Sequence, residues 1–272
     1  MRKILLTFSV LLIVLAALPS CKSAFETALK SKDVNERFTR ANEFYEKKQW
    51  SKANQLYETL LPVFRGTKNY EELYWRYCHT FYNMQDYMSA SYQFKNFTEI
   101  FSKSSRAEEA YFLYAVALYK MSPKYSLDQS STIKAAEVLQ TYINMYPSSS
   151  HLKQANTYIE QARKKLEEKD AHAARLYYHI GEYKAASVAY KTLMFDYPES
   201  VYSDYYQYMM IQAYFYYAKN SRTEKQEERY AEVINACNEL QQNYPNSIYL
   251  KEANNYANSS QKIINKLRNE HQ

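Results

Sequence analysis

One spacing recurs along this chain and constrains its fold more than any other feature. Ala41 is followed by Trp50, Ala53 and Tyr57: a small residue, an aromatic nine positions on, a small residue three further, and an aromatic four beyond that. Cys78, Tyr87, Ala90 and Phe94 repeat the spacing, as do Ala174, Tyr183, Ala186 and Tyr190. Small residues in two consecutive helices let those helices approach closely, and the rings fill the gaps beside the contact. The chain should therefore be built from paired helices, one pair per copy of the pattern.

Two further copies are stretched. Ala115 is followed by Ala135 and Leu139, and Ala213 by Val233 and Cys237, with 20 residues between the small positions instead of 12. The eight extra residues fall near Ser122–Gln129 and Asn220–Glu227, where Pro123 or a polar run interrupts the helical pattern. Such a period, near 34 residues in its regular form, is that of tetratricopeptide repeats. Tyr146-Pro147, Tyr197-Pro198 and Tyr244-Pro245 end three repeats, because proline cannot continue a helix, and Ser149, Ser200 and Ser247 are placed to cap the next one. The first and third pairs lie 98 residues apart, and His151–Asn156 mirrors Tyr249–Asn254, which reads as duplication of a larger unit. From about Ser149 to His179 no proline or glycine interrupts the pattern, predicting a helix of roughly 45 Å between repeats three and four.

The expected fold is all-α: a tetratricopeptide-repeat superhelix of about five helix pairs, with a long helix joining repeats three and four. Residues 33–149 would hold repeats one to three, and 150–272 repeats four and five with a capping helix. Glycine, found only at Gly66 and Gly181, is too scarce for phosphate-cradling loops or the many turns of an all-β protein. The 31 tyrosines suit helices that pack through rings.

The chain opens with a leader. Arg2 and Lys3 precede an apolar run from Ile4 to Leu18, and Ser20 stands before Cys21. Charge, length and a small residue at the cleavage point describe a secretory signal peptide over 1–20, and the cysteine directly after it resembles the lipidation site of bacterial lipoproteins. Lipid on Cys21 would be the only attached group, with no cofactor, and would place the rest outside the cytoplasm. Residues 21–32, polar and poorly patterned, would form a flexible lipidated tether. Without 1–20 the chain carries 33 Lys and Arg against 29 acids, a formal charge of about +4 that gives no case for nucleic acid.

Chemistry-bearing constellations are sparse. His79, His151, His172, His179 and His271 form no metal-ligand spacing, the carboxylates alternate with Lys and Arg as on solvated helix faces, and no Gly-x-Ser-x-Gly elbow occurs. The chain is not read as an enzyme. Cys78 and Cys237 sit within helical patterns and read as small buried hydrophobes. In tetratricopeptide repeats the groove is lined by the first helix of each pair, at offsets −6, −3, +1 and +4 from the small residue. From Ala41 these are Asn35, Phe38, Asn42 and Tyr45; from Cys78, Glu72, Trp75, His79 and Tyr82; from Ala115, Glu109, Phe112, Val116 and Tyr119. The predicted groove is an aromatic strip edged with Asn, Glu and His, suited to an extended peptide with aromatic side chains.

With its lipoprotein start, about five repeats and long helix, the chain resembles the BamD family. The stretch from Tyr146 to Ser200 carries the likeness best, through Ala174-Arg175-Leu176-Tyr177-Tyr178, Gly181-Glu182-Tyr183-Lys184-Ala185-Ala186 and Asp196-Tyr197-Pro198-Glu199-Ser200. The resemblance implies a palmitate-bearing lipoprotein on the inner leaflet of the outer membrane, facing the periplasm, that takes part in β-barrel assembly. It implies a BamA-like barrel protein as partner of the C-terminal repeats, and targeting signals of unfolded outer-membrane proteins as ligands of the N-terminal groove. Lys22 after the cysteine is consistent with outer-membrane sorting. Tyr205-Tyr206-Gln207-Tyr208 departs from the family's ordinary helix formers. The alternatives are a periplasmic repeat scaffold coordinating peptidoglycan enzymes and, further off, a surface lipoprotein that captures glycans in the manner of SusD-type proteins.

Overall fold

The computed structural model describes residues 24–270. The signal peptide and Cys21 lie outside the described residues. Within them the regular structure is helical throughout: α1 (Ala24–Lys30), α2 (Val34–Glu46), α3 (Trp50–Phe64), α4 (Tyr70–Asn83), α5 (Tyr87–Ile100), α6 (Ala107–Lys120), α7 (Ser130–Met145), α8 (Leu152–His179), α9 (Tyr183–Asp196), α10 (Ser203–Lys219), α11 (Thr223–Asn243) and α12 (Leu250–Glu270). None of these helices is long and apolar enough to cross a membrane.

The small positions of the repeat pattern sit where helices meet. Ala41, Ala53, Cys78, Ala90, Ala115, Ala135, Ala174, Ala186, Ala213 and Val233 all have 0% exposure. The rings that follow them, Tyr57, Phe94 and Tyr190, are buried as well. Each such side chain contributes about 1.5–3 kcal/mol by leaving water.

The chain divides into two compact units. The first comprises residues up to Met121 together with Thr141–His151. Its helices pack in sequence, α2 on α3, α3 on α4, α4 on α5 and α5 on α6. Asp33 caps α2 by accepting from the backbone N–H of Asn35 and Glu36, and Asp86 caps α5 by accepting from Ser89. Residues 24–30, expected to belong to a flexible tether, instead form helix α1: Ala28 is buried and Phe25 meets the Phe44 ring edge-on at 5.9 Å. Two apolar residues three apart are enough to dock a short helix on a neighbouring face.

The second unit comprises Ser122–Gln140 and residues from Leu152 onward. Helix α8 runs 28 residues without a break, about 42 Å. The stretched loop 122–129 lies against it, with Lys165 Nζ donating to the Ser122 hydroxyl at 2.6 Å, Lys169 Nζ to the Leu127 carbonyl at 2.8 Å, and Tyr125 stacked on His172 at 4.4 Å. Helix α10 is central, packing on α9, α11 and α12. The tyrosine-rich run is therefore core: Tyr206, Tyr208, Met209, Met210 and Ile211 are all buried. Tyrosine works there because its hydroxyls reach acceptors on flanking helices, Tyr206 donating to Glu167 at 2.9 Å and Tyr208 to Glu252.

The serines after the Tyr-Pro pairs act two residues before the N-cap position. Ser149, Ser200 and Ser247 accept from the backbone N–H of His151, Tyr202 and Tyr249 at 3.0, 3.1 and 3.2 Å, as Ser104 does from Arg106. Each hydroxyl folds the turn that leads into the helix; the N-cap of α10 is Tyr202, which makes no side-chain cap.

Candidate functional site

The predicted groove residues all lie in the first unit, on α2, α4 and α6. Three of the rings form a half-buried floor. Phe38 packs on Phe64 at 5.0 Å, and Tyr45 meets Trp50 at 5.1 Å and Tyr57 at 6.3 Å. Trp75 meets His79 at 4.4 Å, Phe97 at 5.2 Å and Phe94 at 5.9 Å. Tyr82 and Tyr119 are also half-buried, and Tyr82 lies 5.6 Å from Tyr87. Phe112 departs from the prediction. It is 3% exposed, stacked under His151 at 4.4 Å and against Tyr142 at 5.4 Å, so it belongs to the core, as does Val116. The end of the first unit closes over that part of the strip.

Counting by offsets also missed a layer of charge above the floor. Arg76 bonds Glu72 at 2.6 Å and Glu46 at 2.8 Å, and Arg106 bonds the other oxygen of Glu72 at 2.7 Å. This ladder crosses from the end of α2, over α4, to the start of α6. Each cation covers a ring: Arg76 lies 5.0 Å from the Tyr45 centroid, Arg106 5.5 Å from Trp75, and Lys120 6.0 Å from Tyr82. The strip is thus an aromatic floor roofed by guanidinium and ammonium groups. Arg76 directly follows Trp75 and Lys120 directly follows Tyr119, a signal legible in the sequence; Arg106 sits in a turn, where no helical count could find it.

Electrostatics follow from burial and these contacts. Burial alone would raise the Glu72 carboxyl, but hydrogen bonds from Arg76 and Arg106 outweigh it and hold the group below its ordinary range. His79 is pushed down to about 4 by burial, reinforced by Arg106, so its imidazole is neutral. Its Nε2 is buried with no hydrogen-bond partner. Asn42 accepts from the Tyr57 hydroxyl at 2.8 Å, a structural task, while Asn35 and Glu109 are exposed at the margins. The arrangement can hold a ring against the floor and offer Arg76 or Arg106 to a competing carboxylate. Of the three cysteines, the two among the described residues are buried thiols, Cys78 in α4 and Cys237 in α11. Among the described residues no three His, Cys, Asp or Glu side chains converge as a metal site would require.

Solved repeat structures resemble the chain only distantly. The tetratricopeptide-repeat domain of P58(IPK) aligns with 93% of this chain at 15% identity and a TM-score of 0.41, and the chain spans 64% of that domain's length. The TPR2AB domain of yeast Sti1, solved in a complex with pHSP90, aligns with 84% of this chain and 98% of its own at 13% identity and a TM-score of 0.39. No curated protein sequence matches. Residues 30–214, however, match the YfiO family, described as outer membrane lipoprotein, across both repeat-bearing units. That match spans well over half of the chain, which therefore belongs to the YfiO (BamD-type) family of outer-membrane lipoproteins.

Proposed function

We propose that the protein is a lipid-anchored scaffold of outer-membrane β-barrel assembly, working by binding and without chemistry. The observation that carries this reading is the family match over residues 30–214. Lipid on Cys21, palmitate included, would hold the protein on the inner leaflet with its repeats in the periplasm. The second unit would engage a BamA-like barrel protein.

The first unit would receive targeting signals of unfolded barrel proteins. An aromatic side chain would lie on the floor of Phe38, Tyr45 and Trp75. A signal's carboxylate would compete with Glu72 for Arg76 and Arg106, which are only 25% and 36% exposed at the side chain and so are partly shielded from water. Charge-assisted pairs in such surroundings are worth more than exposed ones. Exchange of one carboxylate for another leaves neither arginine unpaired, and the released Glu72, 39% exposed at the side chain, would turn to water.

Affinity purification of the tagged protein from detergent-solubilised membranes, with mass spectrometry of its companions, tests the reading. A barrel protein with periplasmic repeat domains, recovered in near-equal amount, is the expected result. Recovery of cell-wall enzymes or glycan transporters in its place would overturn it.

A further inference from the structure

A second site lies wholly within the second unit and shares no residue with the aromatic strip. A cleft of about 900 Å³ runs along α8, walled on the other side by the turn at Tyr197–Tyr202 and the start of α10. Its lining follows α8 from Asn156 to Arg175, about 28 Å. That length accommodates roughly eight residues of extended chain. Val201 and Tyr202 are 85% and 58% exposed on the wall, apolar surface that nothing in this unit covers.

The polar groups of the cleft divide into those already engaged and those that are not. Arg163 pairs with Glu199 at 2.7 Å, and Glu167 accepts from both Ser200 and Tyr206. Lys164 has Glu160 and Glu168 four residues away on either side, which offset its charge. Arg175 is different. Its neighbours three and four residues away are Ala171, His172, Tyr178 and His179, with no carboxylate among them. Beside it lies Tyr190, 1% exposed, whose hydroxyl has no hydrogen-bond partner and which acts electrostatically with Arg175 and Tyr205. A buried hydroxyl without a partner is rare and marks a place where an acceptor is missing.

We infer that this cleft binds an extended segment of a partner protein, placing an Asp or Glu carboxylate between the Tyr190 hydroxyl and the Arg175 guanidinium, with an adjacent apolar side chain on Val201 and Tyr202. The hydroxyl donates one hydrogen bond and the guanidinium supplies the opposite charge. Arg175 is exposed and Tyr205 half-buried, so both can turn aside as the segment enters. The inference stands on this geometry and does not depend on the barrel-assembly reading.

The test uses the full-length protein in detergent and a fluorescein-labelled octapeptide, Gly-Ser-Phe-Asp-Phe-Asp-Ser-Gly, read by fluorescence polarisation. The same peptide with Asn for both Asp should bind about tenfold more weakly, the effect of losing one charge-assisted hydrogen bond. Tyr190→Phe and Arg175→Gln should each weaken the Asp peptide about tenfold and leave the Asn peptide unchanged. Trp75→Ala, in the aromatic strip, should leave binding intact, which separates this site from the signal-binding reading. Tyr190→Phe should melt no lower than the parent, because the hydroxyl it removes has no partner. Equal binding of the two peptides, absence of binding, loss of binding in Trp75→Ala, or a lowered melting temperature for Tyr190→Phe would each overturn the proposal.

Discussion

The Ser104 hydroxyl donates to the carboxylate of Glu71 at 2.7 Å, tying a turn between repeats to the start of the preceding repeat's first helix. Ser200 makes the same bond to Glu167, also 33 residues back. Glu71, Glu108 and Glu167 each stand seven residues before a small packing position, at Cys78, Ala115 and Ala174. In the third repeat Tyr142 comes between, donating to Glu108 at 3.2 Å and pairing with Ser149. Glu71 and Glu108 open their helices, but Glu167 lies in the middle of α8. Helix α8 is therefore two helices fused end to end, and Glu167 marks where repeat four would otherwise have begun.

Removing either side of this tie leaves the other unpaired. Ser104→Ala should lower stability by about 1 kcal/mol, because the two bonds it loses, to Glu71 and from the Arg106 N–H, are both part-buried and open to replacement by water. Glu167→Ala should cost about 2–3 kcal/mol, because the Ser200 and Tyr206 hydroxyls both lose their acceptor and Tyr206 is buried. Urea unfolding followed by circular dichroism measures both; equal losses for the two variants would contradict the shared-acceptor account.

The first helices of three repeats end in one backbone geometry. Lys48, Gln85 and Gly181 adopt φ of 56°, 62° and 84°, and the next residue's N–H reaches back to Phe44, Phe81 and Tyr177. Only glycine holds that conformation without strain. Lys48→Gly and Gln85→Gly should each stabilise the protein by about 0.5–1 kcal/mol, and Gly181→Ala should destabilise it by about 1 kcal/mol. An added Cβ at Gly181 meets no atom within 4 Å, so backbone strain alone sets that loss. Thermal melts of the three variants decide the matter by sign.

Acid should weaken the first unit through His79. Its pKa is 6.5 when unfolded and about 4 when folded, so the unfolded chain binds the proton first as pH falls. Stability drops between those two values, by up to about 3 kcal/mol, and the loss is complete below pH 4. Glu72, held below its ordinary 4.5, adds a further loss only at lower pH. His79→Phe should flatten the dependence between pH 6.5 and 4; an unchanged slope in that variant would assign it to other groups.

Cys21→Ser should abolish incorporation of labelled palmitate and move the protein from the membrane to the supernatant on fractionation. Labelling that persists in the variant would place the lipid elsewhere or remove it from the account.

The periodic features were legible in the sequence alone. The regular and stretched spacings located the helix pairs, since a close helix crossing favours a small side chain, and all ten such positions are fully buried. The unbroken stretch after Ser149 announced α8, because it holds neither proline nor glycine, the strongest breakers of a helix. What the tertiary structure decided is which periodic positions face water. Phe112 shares its offset with Phe38 and Trp75, yet His151, 39 residues away, covers it. Arg106 roofs Trp75 from a turn that has no helical period. Tyr190 follows the same pattern as Tyr57 and Phe94, but its hydroxyl is left without a partner beside an exposed arginine. Spacing along a chain specifies a residue's place on its own helix; burial, pairing and charge depend on what distant segments bring to that face.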